Sequence, residues 1–321
     1  MIRLLVAFAL VAVPGVLAAQ ETKKEPPKKP AGIPPTRENV AYGEHPRQVL
    51  DFYQAKSDGP TPVVFAIHGG GWVNGSKDGY RGQAKRYLDA GISVVAINYR
   101  FTTQAAEAKV EPPVQWPIAD AARALQFVRS KAKDWYIDKV RIGATGGSAG
   151  GCSSLWLAFH DDLADAKSAD PVARESTRLY CAAVTGAQTT LDPKVLREWM
   201  PNYRYGGHAF GITGAKGNRD GAFGDFYDRR EKLLPWIEEY SPMNHVTKDD
   251  PPIFMEYPSQ KTKPPVKGEN QDDPTHSALL GIILMEKLKA AGVEAILVYP
   301  GHPHEKYKTS ADYLIDRLKA K

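Results

Sequence analysis

Apolar and polar positions along the chain alternate between two kinds of segment. Short continuous apolar runs read as strands buried on both faces. They occur at PVVFAI (62–67), ISVVAINY (92–99), VRIGA (140–144), CAAVTG (181–186), PIFMEY (252–257) and AILVYP (295–300), with VLDFY (49–53) as a further strand. Between them the period changes. A polar helix is expected over about 78–90, and Ile118, Ala121, Ala122, Leu125 and Val128 recur at helical spacing. Cys152, Leu155, Trp156 and Phe159 fall at i, i+3, i+4 and i+7, which marks one buried helix face. Helices are also expected at 276–291 and 305–320. Strands and helices in such alternation predict an α/β fold, with a mostly parallel central sheet flanked by helices.

Two regions fall outside the alternation. Residues 187–251 are rich in glycine and aromatics, including Trp199, Tyr203, Tyr205, Phe210, Phe223, Phe226, Tyr227 and Trp236. An excursion of this length reads either as a cap-like insertion over a site or as a packed surface insertion without ligand contact. At the other end, MIRLLVAFALVAVPGVLAAQ has a positive start at Arg3, an apolar run from Leu4 to Val13 and small residues at Ala18 and Ala19. That pattern predicts a signal peptide over 1–19, and with it a secreted or periplasmic protein. The Lys- and Pro-rich stretch 20–35 is expected to be a disordered spacer, leaving 36–321 as one folded domain.

Composition narrows the function class. The formal net charge is +5, but Arg3 carries one of those charges. Residues 20–35, with four Lys and two Glu, carry a net two more, so the folded body is near +2. No Lys/Arg block there interleaves with aromatics, so a nucleic-acid partner is not expected. Nor is stable membrane insertion expected after leader cleavage, because the apolar run is short and Pro14 and Gly15 break it. The two cysteines, Cys152 and Cys181, are too few for a disulfide framework, and buried free thiols are the expected state.

The candidate chemistry lies at two glycine-rich turns. Gly146-Gly147-Ser148-Ala149-Gly150 fits the G-x-S-x-G nucleophile elbow and has the required context, a strand before it and a helix after it. His68-Gly69-Gly70-Gly71-Trp72 directly follows the apolar strand ending at Ile67. Such a loop can supply a backbone N–H that joins the N–H of the residue after the nucleophile in an oxyanion hole. The donors expected are Gly69 or Gly70, which the sequence does not separate, and Ala149. No residue pattern completes a metal site, and no metal or organic cofactor is expected.

HGGGW followed some 80 residues later by GGSAGG resembles the α/β-hydrolase superfamily. Within it the chain is similar to the hormone-sensitive-lipase-like and bacterial feruloyl-esterase-like carboxylesterases, over about 40–320. The resemblance implies a serine esterase with its triad in the order Ser, acid, His. It implies an acid after PIFMEY and before the following helix, at Asp273 with Asp272 as the alternative. It implies a histidine in the loop after AILVYP, at His304 with His302 as the alternative. The loop SQKTKPPVKGENQ is longer than the family's usual one, and Glu305 stands where a glycine or aromatic is common. The expected function is an exported carboxylic-ester hydrolase acting on a small-molecule or polysaccharide-linked ester, such as an acetyl or feruloyl group. The alternatives are a serine peptidase of the same fold, or a binding protein that keeps the fold without the activity.

Overall fold

The computed structural model describes residues 32–214 and 219–320. The leader expected at 1–19 and most of the spacer expected at 20–35 lie outside them, as do residues 215–218 of the insertion. The last spacer residues are tied down rather than free. The Ile33 N–H donates to the Arg81 carbonyl at 3.3 Å, and the Ile33 side chain packs against a buried cluster.

Among the described residues eight strands form one sheet in the order β1-β2-β4-β3-β5-β6-β7-β8. They are β1 (Arg37–Ala41), β2 (Val49–Tyr53), β3 (Thr61–Ile67), β4 (Ser93–Ile97), β5 (Ile137–Gly147), β6 (Cys181–Thr185), β7 (Ile253–Glu256) and β8 (Ala295–Val298). β2 runs antiparallel to both its neighbours, and every pairing from β4 to β8 is parallel. The expected mostly parallel sheet is therefore present. β1 escapes an apolar pattern because RENVA is an edge strand with mostly exposed side chains. In β3 all seven residues are buried, as a central strand covered on both faces requires.

The helices are α1 (Arg81–Leu88), α2 (Thr102–Glu107), α3 (Gln115–Ser130), α4 (Ala132–Trp135), α5 (Ala149–Phe159), α6 (Pro193–Trp199), α7 (Arg219–Asp228), α8 (Arg230–Tyr240), α9 (Ala278–Ala291) and α10 (Ser310–Lys319). Helix α5 was expected to bury one face, yet every one of its residues is buried. It runs between the sheet and the insertion, so no side of it reaches water.

The insertion is a packed helical layer that contributes α6, α7 and α8. Trp199, Tyr203, Phe210, Phe223 and Phe226 are buried there, with the Phe210 and Phe226 rings stacked at 5.3 Å. Its aromatic richness builds core. The Arg230 guanidinium forks onto the Asp192 carboxylate, with Nε to Oδ1 at 2.9 Å and Nη2 to Oδ2 at 2.6 Å, joining α8 to the start of α6. The Trp156 indole N–H donates to the Glu239 carbonyl at 2.8 Å, seating the layer on α5.

Cys152 and Cys181 are both free and buried. They belong to different apolar clusters, Cys152 on α5 and Cys181 on β6. Burial raises both thiols, that of Cys181 to about 12. Among the described residues, no helix is long and apolar enough to cross a membrane.

Candidate active site

β5 ends at Gly147 and α5 begins at Ala149, so the turn between them is Ser148 alone. Its backbone has φ +52° and ψ −123°, a region that residues with a side chain rarely enter. Two hydrogen bonds hold it there. The Ser148 N–H donates to the Thr185 carbonyl at 2.9 Å, and the Cys152 N–H donates to the Ser148 carbonyl at 2.9 Å. Gly150 and Gly69 are needed because backbone lies against backbone. A Cβ on Gly150 would stand 2.1 Å from the Ile67 carbonyl oxygen, and one on Gly69 would stand 2.6 Å from that of Gly147.

The group facing the serine is His276. Its Nε2 lies 3.0 Å from Ser148 Oγ, and its Nδ1 lies 2.8 Å from Asp273 Oδ2. This corrects the expectation of His304. The His304 Nδ1 accepts from the amides of Lys306 and Tyr307 in its own loop, and its ring stacks on Tyr307 at 5.2 Å. His302 is exposed and stacks on Tyr299 at 5.1 Å. The carboxylate at the histidine is that of Asp273, while Asp272 turns outward to Lys261 Nζ at 3.0 Å.

Local geometry explains why acid and base share one turn. Pro274–His276 is a 3-10 helix with Asp273 at its N-cap. A 3-10 helix has three residues per turn, so positions i and i+3 eclipse and the two side chains meet on one side. Gln188, at the start of the insertion, donates through Nε2 to the Thr275 carbonyl at 2.8 Å and holds this turn above the sheet. Gly186 lies beneath the imidazole, where a Cβ would stand 3.3 Å from His276 Cδ2. The signal available in the sequence was the string DPTH, an acid and a histidine three apart around a proline at a helix start.

The glycine loop after β3 is pinned from behind. The buried Tyr99 hydroxyl donates to the His68 carbonyl at 2.9 Å, and His68 Nδ1 donates to the Gly69 carbonyl at 2.7 Å. A planar trans peptide sets N–H opposite C=O. The Gly69 and Gly70 N–H groups are thus fixed pointing away from Tyr99 and from the imidazole. The Gly70 carbonyl accepts from the Val73 and Asn74 amides, each at 3.1 Å. Opposite this loop, the Ala149 N–H is the first of α5 and has no carbonyl one turn earlier in the helix. The two elements are tied together by the Trp72 indole N–H, which donates to Ser153 Oγ at 3.0 Å, and by that hydroxyl, which donates to the Ala149 carbonyl at 3.0 Å.

His68 itself is a buried neutral histidine. Burial pulls its pKa down to about 4, opposed by the bond to Gly69 and reinforced by the nearby Arg47 cation. The folded ring takes its proton only near pH 4, whereas an unfolded one does so near 6.5. Between those values the unfolded chain holds more protons, so this contribution is complete above pH 6.5 and is lost as the pH falls toward 4. We expect roughly 3 kcal/mol of stability to disappear across that window. Urea unfolding at a series of pH values should show the loss, and His68→Gln should show less of it.

Among the described residues, no group of three or more His, Cys, Asp or Glu is gathered as a metal would need.

Comparisons with known proteins agree with this architecture. A family model described as BD-FAE matches residues 50–265, which is more than half of the chain. The match includes the HGGGW loop and Ser148 and ends before Asp273 and His276. A probable carboxylic ester hydrolase, LipM, of Mycobacterium tuberculosis is 36% identical over 120 residues, covering 35% of this chain and 26% of that protein. Gut esterase 1 of Caenorhabditis elegans is 34% identical over 123 residues, covering 37% of this chain and 22% of that protein. The matched segments thus span about a quarter of these relatives' length. Among solved structures, an acetyl ester-xyloside bifunctional hydrolase from Caldicellulosiruptor lactoaceticus has a TM-score of 0.60 at 22% identity, with 87% of this chain and 90% of that one covered. A truncated carbohydrate esterase from gut microbiota has a TM-score of 0.64 at 20% identity, covering 92% of this chain and all of that one. The fold is that of the α/β-hydrolases, and the chain belongs to the BD-FAE family.

Proposed function

We propose that the protein is a serine carboxylic-ester hydrolase whose nucleophile is Ser148. The observation that carries this reading is the continuous relay Asp273–His276–Ser148, with steps of 2.8 and 3.0 Å, beside a glycine loop with fixed amides. Ser148 Oγ attacks the ester carbonyl while His276 Nε2 takes its proton. Asp273 accepts from Nδ1–H, sets the tautomer and stabilises the imidazolium. The oxygen that becomes negative is held by the Ala149 N–H and by Gly69 or Gly70, at the positive end of α5. His276 then protonates the departing alcohol, and water releases the acyl group through the same steps in reverse.

For the substrate we propose acetyl or feruloyl esters of polysaccharides. The descriptions of the two solved structures above support this reading, as does the leader-like 1–19, which points to export. Hydrolysis of p-nitrophenyl esters from acetate to decanoate, with Ser148→Ala in parallel, tests the activity. Turnover of short chains by the native protein alone is the expected result. Equal turnover by both proteins would overturn the reading. Release of acetate or ferulate from an esterified xylan then tests the substrate.

A further inference from the structure

The insertion reaches the glycine loop at Gly71. His208 lies on the 3-10 turn Gly207–Phe210, and its Nε2 donates to the Gly71 carbonyl at 2.8 Å. The His208 ring packs against Tyr205 at 4.8 Å and Trp72 at 6.4 Å. Gly71 has φ +61°, and a Cβ there would stand 2.4 Å from the Tyr205 hydroxyl. The third glycine of the motif therefore does more than turn the chain. It makes room for two side chains of the insertion.

The contact acts on a strained link. The Gly71 carbonyl belongs to the peptide whose N–H is that of Trp72, a residue with a side chain held at φ +57°. The His68, Gly69 and Gly70 carbonyls are held by Tyr99, His68 and the following turn, and that of Trp72 by the Thr102 amide. The Gly71 carbonyl is held by the insertion. Trp72 also carries the indole bond to Ser153, and through it reaches the Ala149 carbonyl.

Resting on the hydrolase reading above, we propose that His208 is a positioning residue. Its imidazole N–H ties the insertion to the glycine loop and keeps the Gly71–Trp72 peptide in the orientation that both oxyanion donors require. Seating of the insertion and completion of the oxyanion site are then one event. Loss of the tie lets the loop peptide relax, which weakens the transition state more than it weakens ground-state binding.

The test uses the whole chain and two variants. His208→Phe keeps a ring between Tyr205 and Trp72 but has no donor. His208→Gln places an amide N–H at nearly the same reach. A misplacement of about 1 Å can cost roughly a hundredfold in rate, so a partial relaxation should cost about tenfold. We expect His208→Phe to lower kcat about tenfold with KM within about twofold, and His208→Gln to recover most of the loss. Labelling of Ser148 by a phosphonate, which also develops charge on an oxygen in that hole, should slow in parallel. Melting temperatures close to that of the native protein show that both variants fold. Native kcat in His208→Phe, or failure of His208→Gln to restore kcat in a folded protein, overturns the role of His208 alone. Absence of turnover and of labelling in the native protein overturns the hydrolase reading, and this role with it.

Discussion

Replacing His276 with alanine is expected to lower kcat roughly ten-thousand-fold, while His304→Ala stays within about twofold of the native rate. The size follows from what the imidazole does. Without it, among the described residues no side chain hydrogen-bonded to Ser148 Oγ is left to take the proton as the bond to carbon forms, or to return it to the leaving alcohol. The residual rate comes from binding and the oxyanion donors alone. His276→Ala also removes a ring that is partly open to solvent, 32% exposed, so the protein should fold and melt near its native temperature. Steady-state kinetics on a short p-nitrophenyl ester, with a thermal scan of each variant, measures both. A folded His276→Ala protein at full rate, with His304→Ala inactive, would reverse the assignment.

Gly150→Ala should be a severely damaging single methyl group. Its Cβ would stand 2.1 Å from the Ile67 carbonyl oxygen and 2.7 Å from that of His68, both main-chain atoms at the end of a central strand. A flexible side chain could swing aside, but these atoms cannot move without displacing β3 and the glycine loop. The overpacking should cost at least about 3 kcal/mol, and most of the protein is expected in insoluble form. Gly147→Ala is the control, because a Cβ there meets only the Thr185 carbonyl, at an ordinary 3.7 Å. Soluble yield and urea unfolding midpoints should separate the two variants widely. Equal stability would mean that helix α5 can move away from β3.

Much of this architecture was legible in the chain. The six continuous apolar runs became β3 to β8, because a strand covered on both faces needs apolar residues at successive positions. The elbow around Ser148 was legible for a steric reason, since few residue combinations tolerate a backbone approach this close. β1 was missed because an edge strand has little side-chain burial to signal it. The insertion offered two readings. Trp199, Tyr203, Phe210, Phe223 and Phe226 form core, while Tyr205 and His208 reach Gly71.

The base was the part the chain concealed. DPTH sat where a helix was expected from 276, which put His276 on that helix instead of on a turn of its own. In the structure α9 begins at Ala278 with Ser277 as its cap, so His276 belongs to the 3-10 turn before it. Periodicity and glycine placement marked the strands from β2 to β8, the elbow and the loop, because alternation and turn residues are written in neighbours close along the chain, whereas the pairing of those strands is not. Only the tertiary structure decided which histidine serves Ser148. That choice rests on which of two loops passes over the ends of β5 and β6, and His276 stands 128 positions from the serine it meets. Local spacing brought the acid and base together, and packing of the whole domain brought the pair to the nucleophile.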